Sequence, residues 1–234
     1  MTAVETSLPL STAQTDVWFD EQLSGGGLAY AMADYLDISG DLDVAAFTEA
    51  FRLLTDEAEC FRARFFEIDG EPRQVVEPLT ELPVRFLDLS GEPDPEAAAL
   101  AWMHEDLAQP FSVTDFPLFR AALLTLGPRR RFWYLTTHHL VGDGFSAAIC
   151  HRRMGELYTA VLTGAEPQGR PLPPFRDLLE SELAYQTSTH LGRDREFWSS
   201  HFSTVPDLIS LSGKEPAPAR GFLRRTLALP ADAA

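Results

Sequence analysis

Cysteine is scarce, basic residues are outnumbered, and long apolar runs are missing. The 234-residue chain carries two cysteines, Cys60 and Cys150, far apart and without a Cys-x-x-Cys or framework spacing. That argues against a disulfide scaffold and fits buried thiols in a reducing compartment. Lysine and arginine total 19 against 35 aspartates and glutamates, a formal net charge of -16. Most of such a surface repels a phosphate backbone, so nucleic acid is not an expected partner. The same excess disfavours an anionic membrane, and the one basic run, GPRRRF at residues 127 to 132, reads as a solvated turn. No uncharged apolar run approaches spanning length, and MTAVETSLPLSTAQ has neither the basic nor the apolar region of an export signal. The expected location is the cytoplasm, away from membranes.

What is present is enough apolar material for a substantial core, 45% of residues, arranged in alternating periods. Residues 9 to 23 read as a helix capped by Ser11 or Thr12, and residues 28 to 40 as a strand. A helix follows Asp41 or Asp43, with Val44, Phe47, Phe51 and Leu54 on one face. Asp69-Gly70 marks a hairpin, VRFLDLS a short strand, and PDPEAAALAWMHEDLAQPF a helix opened by proline and acids. PLFRAALLTLG and RFWYLTTHHL read as neighbouring strands, after which the period turns helical from Gly144. Helices near 175 to 187 and around DREFWSSHF and a final strand-like GFLRRTLAL complete the chain. The intermixing predicts an α/β (α+β) fold, a mixed β-sheet layered with helices.

The stretch WYLTTHHLVGDGFSAA carries the densest chemistry. Along a strand over 131 to 139, Trp133, Leu135, Thr137 and His139 share one face, and Phe132, Tyr134, Thr136 and His138 the other. One imidazole can face a cavity while its neighbour packs inward, and opposed directions argue against joint metal chelation. Gly142 and Gly144 suit a tight strand-to-helix turn, where the helix start offers unpaired N–H groups. Asp143 either caps that helix or pairs with an arginine elsewhere.

HHLVGDG resembles the HHxxxDG motif of condensation domains of nonribosomal peptide synthetases. PLSTAQTDVWFDEQL is similar to that family's opening motif through Leu10, Ala13, Gln14 and Trp18. EAECFRARF is similar to its second, through Glu59, Phe61, Arg62, Arg64 and Phe65, with Glu57 and Ala58 standing where Arg and His are usual. PFRDLLESELAY and REFW sit where two weaker motifs fall. The resemblance implies a chloramphenicol acetyltransferase-like lobe and amide formation between a donor acyl thioester and an acceptor aminoacyl thioester. Both substrates would arrive on the 4'-phosphopantetheine of carrier proteins, with no tightly bound cofactor and no metal. It makes His139 the active-site histidine, His138 its inward-facing partner, and Gly144 a backbone donor to the oxyanion. Arg62 and Asp143 become a structural ion pair.

The family's complete domain has two lobes, and residues 1 to 234 correspond to the N-terminal one, the C-terminal lobe being absent and the isolated lobe expected to be inactive. The short stretch before PLSTAQ implies a donor delivered in trans by a peptidyl or aryl carrier protein. Docking of an acidic carrier would then call on a local basic patch such as Arg129, Arg130 and Arg131. The competing readings are another acyltransferase of the superfamily, an epimerization domain, and a non-catalytic carrier-docking module.

Overall fold

The computed structural model describes residues 7–24, 27–204 and 213. Its elements begin with β1 (Leu8–Pro9), α1 (Thr12–Ser24), β2 (Ala31–Ser39) and α2 (Val44–Glu57). A 3-10 turn (Glu59–Arg62) leads into β3 (Ala63–Ile68), β4 (Glu71–Val76), β5 (Val84–Asp88) and α3 (Pro95–Leu107). Then come β6 (Phe119–Gly127), β7 (Arg130–His138), α4 (Gly144–Thr163), α5 (Phe175–Gln186) and α6 (Thr189–His201). The expected final strand over GFLRRTLAL lies outside the described residues. The described residues up to Gln186 and those from Thr187 onward fall into two compact units, and the site belongs wholly to the first.

Local chemistry sets the boundaries. The Gln14 N–H donates to Ser11 Oγ, and the Ser11 N–H to Gln14 Oε1, a reciprocal capping box at the start of α1. Asp43 caps α2 and Asp94 caps α3, each accepting from the N–H three residues on. Asp69 and Gly70 both take positive φ, 53° and 86°, which gives the two-residue turn joining β3 to β4. Gly164 ends α4 in the left-handed region at φ 67°.

Four strands form the main sheet in the order β2-β7-β6-β5, and three form a small sheet in the order β1-β4-β3. β7 is antiparallel to both its neighbours, whereas β5 runs parallel to β6. On one face of the main sheet Leu123, Trp133 and Leu135 pack with Phe47, Phe51 and Leu54 of α2 and with Cys150, Met154 and Leu157 of α4. On the other, Leu124, Phe132 and Tyr134 pack with Ala99 and Met103 of α3. A third cluster, Trp18, Phe65, Phe111, Leu118, Leu140 and Val141, fastens α1 and the small sheet to the segment after β7. The mixed sheet with helices on both faces is the α+β layering that the sequence pattern predicts.

Candidate active site

β7 ends at His138, and His139 extends its pairing by one residue, its N–H donating to the Tyr30 carbonyl at 2.9 Å. The alternation of side chains therefore holds across the pair. His138 is buried at 1% exposure. Its Nε2 lies 3.3 Å from Glu21 Oε1, and its Nδ1 accepts the Leu140 N–H at 3.2 Å. With Nδ1 an acceptor, the ring proton sits on Nε2 and is donated to the Glu21 carboxylate. Burial holds the His138 pKa below its ordinary value, opposed by the Glu21 hydrogen bond.

His139 points the other way and lines an open groove of about 680 Å³, with Gln14, Cys60, Ser146, Ile149 and Phe175 among its walls. The Tyr30 ring meets the His139 ring edge-on, with centroids 6.1 Å apart. Three segments distant in sequence fix this corner. Gln14 donates from Nε2 to the Leu140 carbonyl at 2.9 Å, and its Oε1 accepts from Gln74 Nε2 at 2.9 Å. The opening motif is thus a clamp on the residue that follows His139. Glu59 accepts the Phe175 N–H at 2.7 Å, which ties the second motif to the start of α5.

Asp143 caps α4. Its Oδ1 accepts both the Ser146 N–H and the Ser146 hydroxyl at 2.7 Å, and these bonds, the backbone one first, hold its pKa below the usual carboxylate value. Gly144 opens the helix, exposed, and a Cβ there would meet nothing within 4 Å. It lines a second cavity, of about 190 Å³, that shares Cys60, Gly142, Asp143, Ser146 and Cys150 with the groove. Burial pushes both thiols up, Cys60 to about 11 and Cys150 to about 12, and both cysteines are free. They are poor nucleophiles at neutral pH.

The expected ion pair between Arg62 and Asp143 does not form. Arg62 donates from Nε to the Thr55 carbonyl at 2.9 Å and from Nη2 to the Asp56 carbonyl at 2.7 Å. These carbonyls belong to the last turn of α2 and have no helical partner ahead of them, so the guanidinium is held where acceptors are free. The Asp143 carboxylate is likewise taken up by Ser146. The buried ion pair near the site is a different one. Arg153 of α4, 2% exposed, meets Glu57 in a two-pronged contact and also reaches Glu156 and the Gln168 carbonyl. Glu57 occupies the second-motif place usually held by arginine, so the motif does not point to it as a partner. The available signal was Arg153 itself, a cation on the face that buries Cys150 and Leu157.

The basic run is not a free patch either. Arg129 pairs with Asp41 at 3.0 Å, and Arg130 bridges Asp37 and Glu96 at 2.7 and 2.8 Å. Two of the three cations offered for carrier docking are thereby neutralised within the molecule. No helix among the described residues is long and apolar enough to cross a membrane.

Comparison with known proteins places this geometry in a family. A family profile described as Condensation domain matches residues 4–233. The chain is 38% identical over 221 residues to a dimodular nonribosomal peptide synthase of Bacillus subtilis (strain 168), covering 94% of this chain and 9% of that protein. It is 35% identical over 217 residues to enterobactin synthase component F of Escherichia coli (strain K12), covering 92% of this chain and 16% of that one. Among solved structures, the starter condensation domain of rhizomide synthetase in complex with C8-CoA superposes with a TM-score of 0.86 at 33% identity, over 91% of this chain and 49% of that one. The first condensation domain of the calcium-dependent antibiotic synthetase gives 0.83 at 34% identity, over 91% of this chain and 51% of that one. The chain thus spans about half of the solved domains and a small part of the synthetases.

Proposed function

The chain belongs to the condensation-domain family of nonribosomal peptide synthetases, and on that premise we propose that it is the histidine-bearing N-terminal lobe of a domain that forms amide bonds. The donor is an acyl thioester and the acceptor an aminoacyl thioester, both delivered on the phosphopantetheine arms of carrier proteins. The C–N bond forms as the C–S bond breaks; the amine gives up a proton and the departing thiolate receives one.

The observation that carries this reading is the position of His139, alone of the two imidazoles in lining the groove, whose wall also takes in Asp143 and Ser146 at the start of α4. An α-amino group has a pKa of about 7.7–8.0, so near neutrality an appreciable fraction is already unprotonated. His139 orients the amine and accepts its proton as the bond forms. The Gly144 N–H, at the positive end of α4, donates to the oxyanion of the tetrahedral intermediate. His138, Glu21 and Asp143 hold the loop that presents these groups. Arg62 supports the site through the end of α2.

The chain's coverage of about half of the solved domains supports a second lobe as the remainder of the active domain. One neighbour is a starter condensation domain in complex with C8-CoA, which supports a donor delivered in trans, and the two free cysteines fit a cytoplasmic location. The test is amide formation from soluble acyl and aminoacyl thioesters by a two-lobed domain that carries this chain as its first half. His139→Ala should lose most of the turnover and keep the fold. Full activity in that variant overturns the reading.

A further inference from the structure

One helix holds both backbone groups of the residue that follows His139. Gln14, Trp18 and Glu21 of α1 stand four and three residues apart, so they share one helix face, and all three are buried. Gln14 takes the Leu140 carbonyl at 2.9 Å. Glu21 reaches the Leu140 N–H indirectly, through the His138 ring: its Oε1 lies 3.3 Å from Nε2, and the Leu140 N–H donates to Nδ1 at 3.2 Å. The rings of Tyr30 and Phe111 stand beside that buried imidazole, at 6.1 and 6.2 Å between centroids. Both of its nitrogens are therefore served by named partners rather than by bulk water.

A neutral imidazole carries its proton on one nitrogen, and its partners decide which. With the proton on Nε2, the ring donates to Glu21 and accepts from Leu140. With the proton on Nδ1, that N–H would face the Leu140 N–H, and a bare lone pair would face the carboxylate. Two attractive contacts would become two repulsive ones. The peptide between residues 139 and 140 would have to turn, and it joins the Cα that carries His139 to the residue clamped by Gln14. A hydrogen bond to a charged acceptor shifts an equilibrium on the order of tenfold to a hundredfold, enough for Glu21 to hold the ring in the first form.

We propose that Glu21 is a positioning residue for amide formation: it fixes the tautomer of His138 and, through the Leu140 N–H, the peptide from which His139 projects. This deepens the function proposed above and rests on His139 being the condensation histidine. Glu21 meets the imidazole that faces away from the groove, so its contribution is orientation, which enters kcat rather than KM.

Nitrogen NMR of the 234-residue chain, isotopically labelled at histidine and held above neutral pH, reads the tautomer without turnover. His138 should carry its proton on Nε2, and Glu21→Leu, which removes the acceptor, should move it wholly or partly to Nδ1. In the two-lobed domain Glu21→Leu should lower kcat by about 10²-fold with little change in KM, since a misplacement of about 1 Å costs that much. Glu21→Gln, whose carboxamide oxygen still accepts the Nε2 proton, should keep the tautomer and most of kcat. Because Glu21 acts through His138, the losses from Glu21→Leu and His138→Gln should not add. A proton on Nδ1 in the wild type would overturn the proposal even if Glu21→Leu fails to fold. An unmoved proton or a normal kcat in Glu21→Leu, an equally deep loss in Glu21→Gln, or additive losses would overturn it as well. Full activity in His139→Ala bears on the catalytic assignment instead and leaves the tautomer measurement standing, so the two readings fail separately.

Discussion

Arg153 and Glu57, 96 residues apart, form a two-pronged ion pair, with Nη2 to Oε1 and Nε to Oε2 both at 2.7 Å. The guanidinium is buried against the packed faces of α2 and α4, and the same carboxylate accepts the Leu172 N–H at 3.3 Å. One pair thus joins two core helices to the loop that leads into α5, and α5 supplies Phe175 and Leu178 to the wall of the groove. Glu57 is held below the usual carboxylate range chiefly by the Arg153 hydrogen bonds.

Removing one partner leaves a poorly hydrated charge. Arg153→Ala should therefore destabilise the chain by about 3–5 kcal/mol, and the apolar pair Arg153→Met with Glu57→Leu should recover much of that. Urea unfolding of the single and double variants measures both. A loss below about 1 kcal/mol in the single variant would mean that the pair is solvated.

Arg62 and Asp143 should show no coupling. Asp143→Ala removes a helix cap and costs about 1 kcal/mol. Arg62→Ala frees two carbonyls at the end of α2. Because the two groups share no partner, the double variant should match the sum of the singles within about 0.5 kcal/mol. A larger interaction energy in a double-mutant cycle would restore the ion pair that the motif comparison implies.

The contrast between these two pairs shows what the sequence discloses. Periodicity located the helices and the β3–β4 hairpin, since apolar spacing and a turn residue such as Gly70 act locally. The opposition of His138 and His139 was equally local, because strand alternation decides it. Which charge meets which is a matter of tertiary packing. Arg62 carries the family's position yet satisfies its own helix end, and Glu57, a departure from the motif, found Arg153 across the core. Glu21 is illegible in the sequence for the same reason, since nothing in α1 announces that its carboxylate faces a histidine 117 residues on.

His138 gives the fold a pH dependence whose sign follows from its surroundings. Its pKa is lowered by burial, so the unfolded chain, with a histidine pKa of about 6.5, binds its proton first. The stabilisation is complete above that value and is lost as pH falls toward the folded-state pKa. Urea midpoints should be level from pH 8 to 7 and decline below about 6.5, before the carboxylates titrate near 4. His138→Gln should be less stable at pH 8, with Glu21 and the Leu140 N–H imperfectly paired at a cost of about 1–3 kcal/mol. It should also lose the decline between pH 6.5 and 5. A decline that persists unchanged in that variant assigns it to another group.

The role of the Gly144 N–H is open to an unusually clean substitution, because the position is the first of a helix. Proline is tolerated there: the N–H it removes has no partner within the helix, and its fixed φ suits the first turn. The preceding residue must be extended, and Asp143 is, at φ -140° and ψ -178°. Gly144 has no positive φ to preserve, and added atoms at its Cβ meet open space. Gly144→Pro should therefore fold with near-normal stability while deleting one donor. If that donor binds the oxyanion, kcat for amide formation by the two-lobed domain should fall about 10²–10³-fold with little change in KM. Gly144→Ala keeps the N–H while adding bulk at the same place, and should lose far less. Equal losses in the two variants would assign the effect to crowding of the cavity, and no loss in either would remove Gly144 from the reaction.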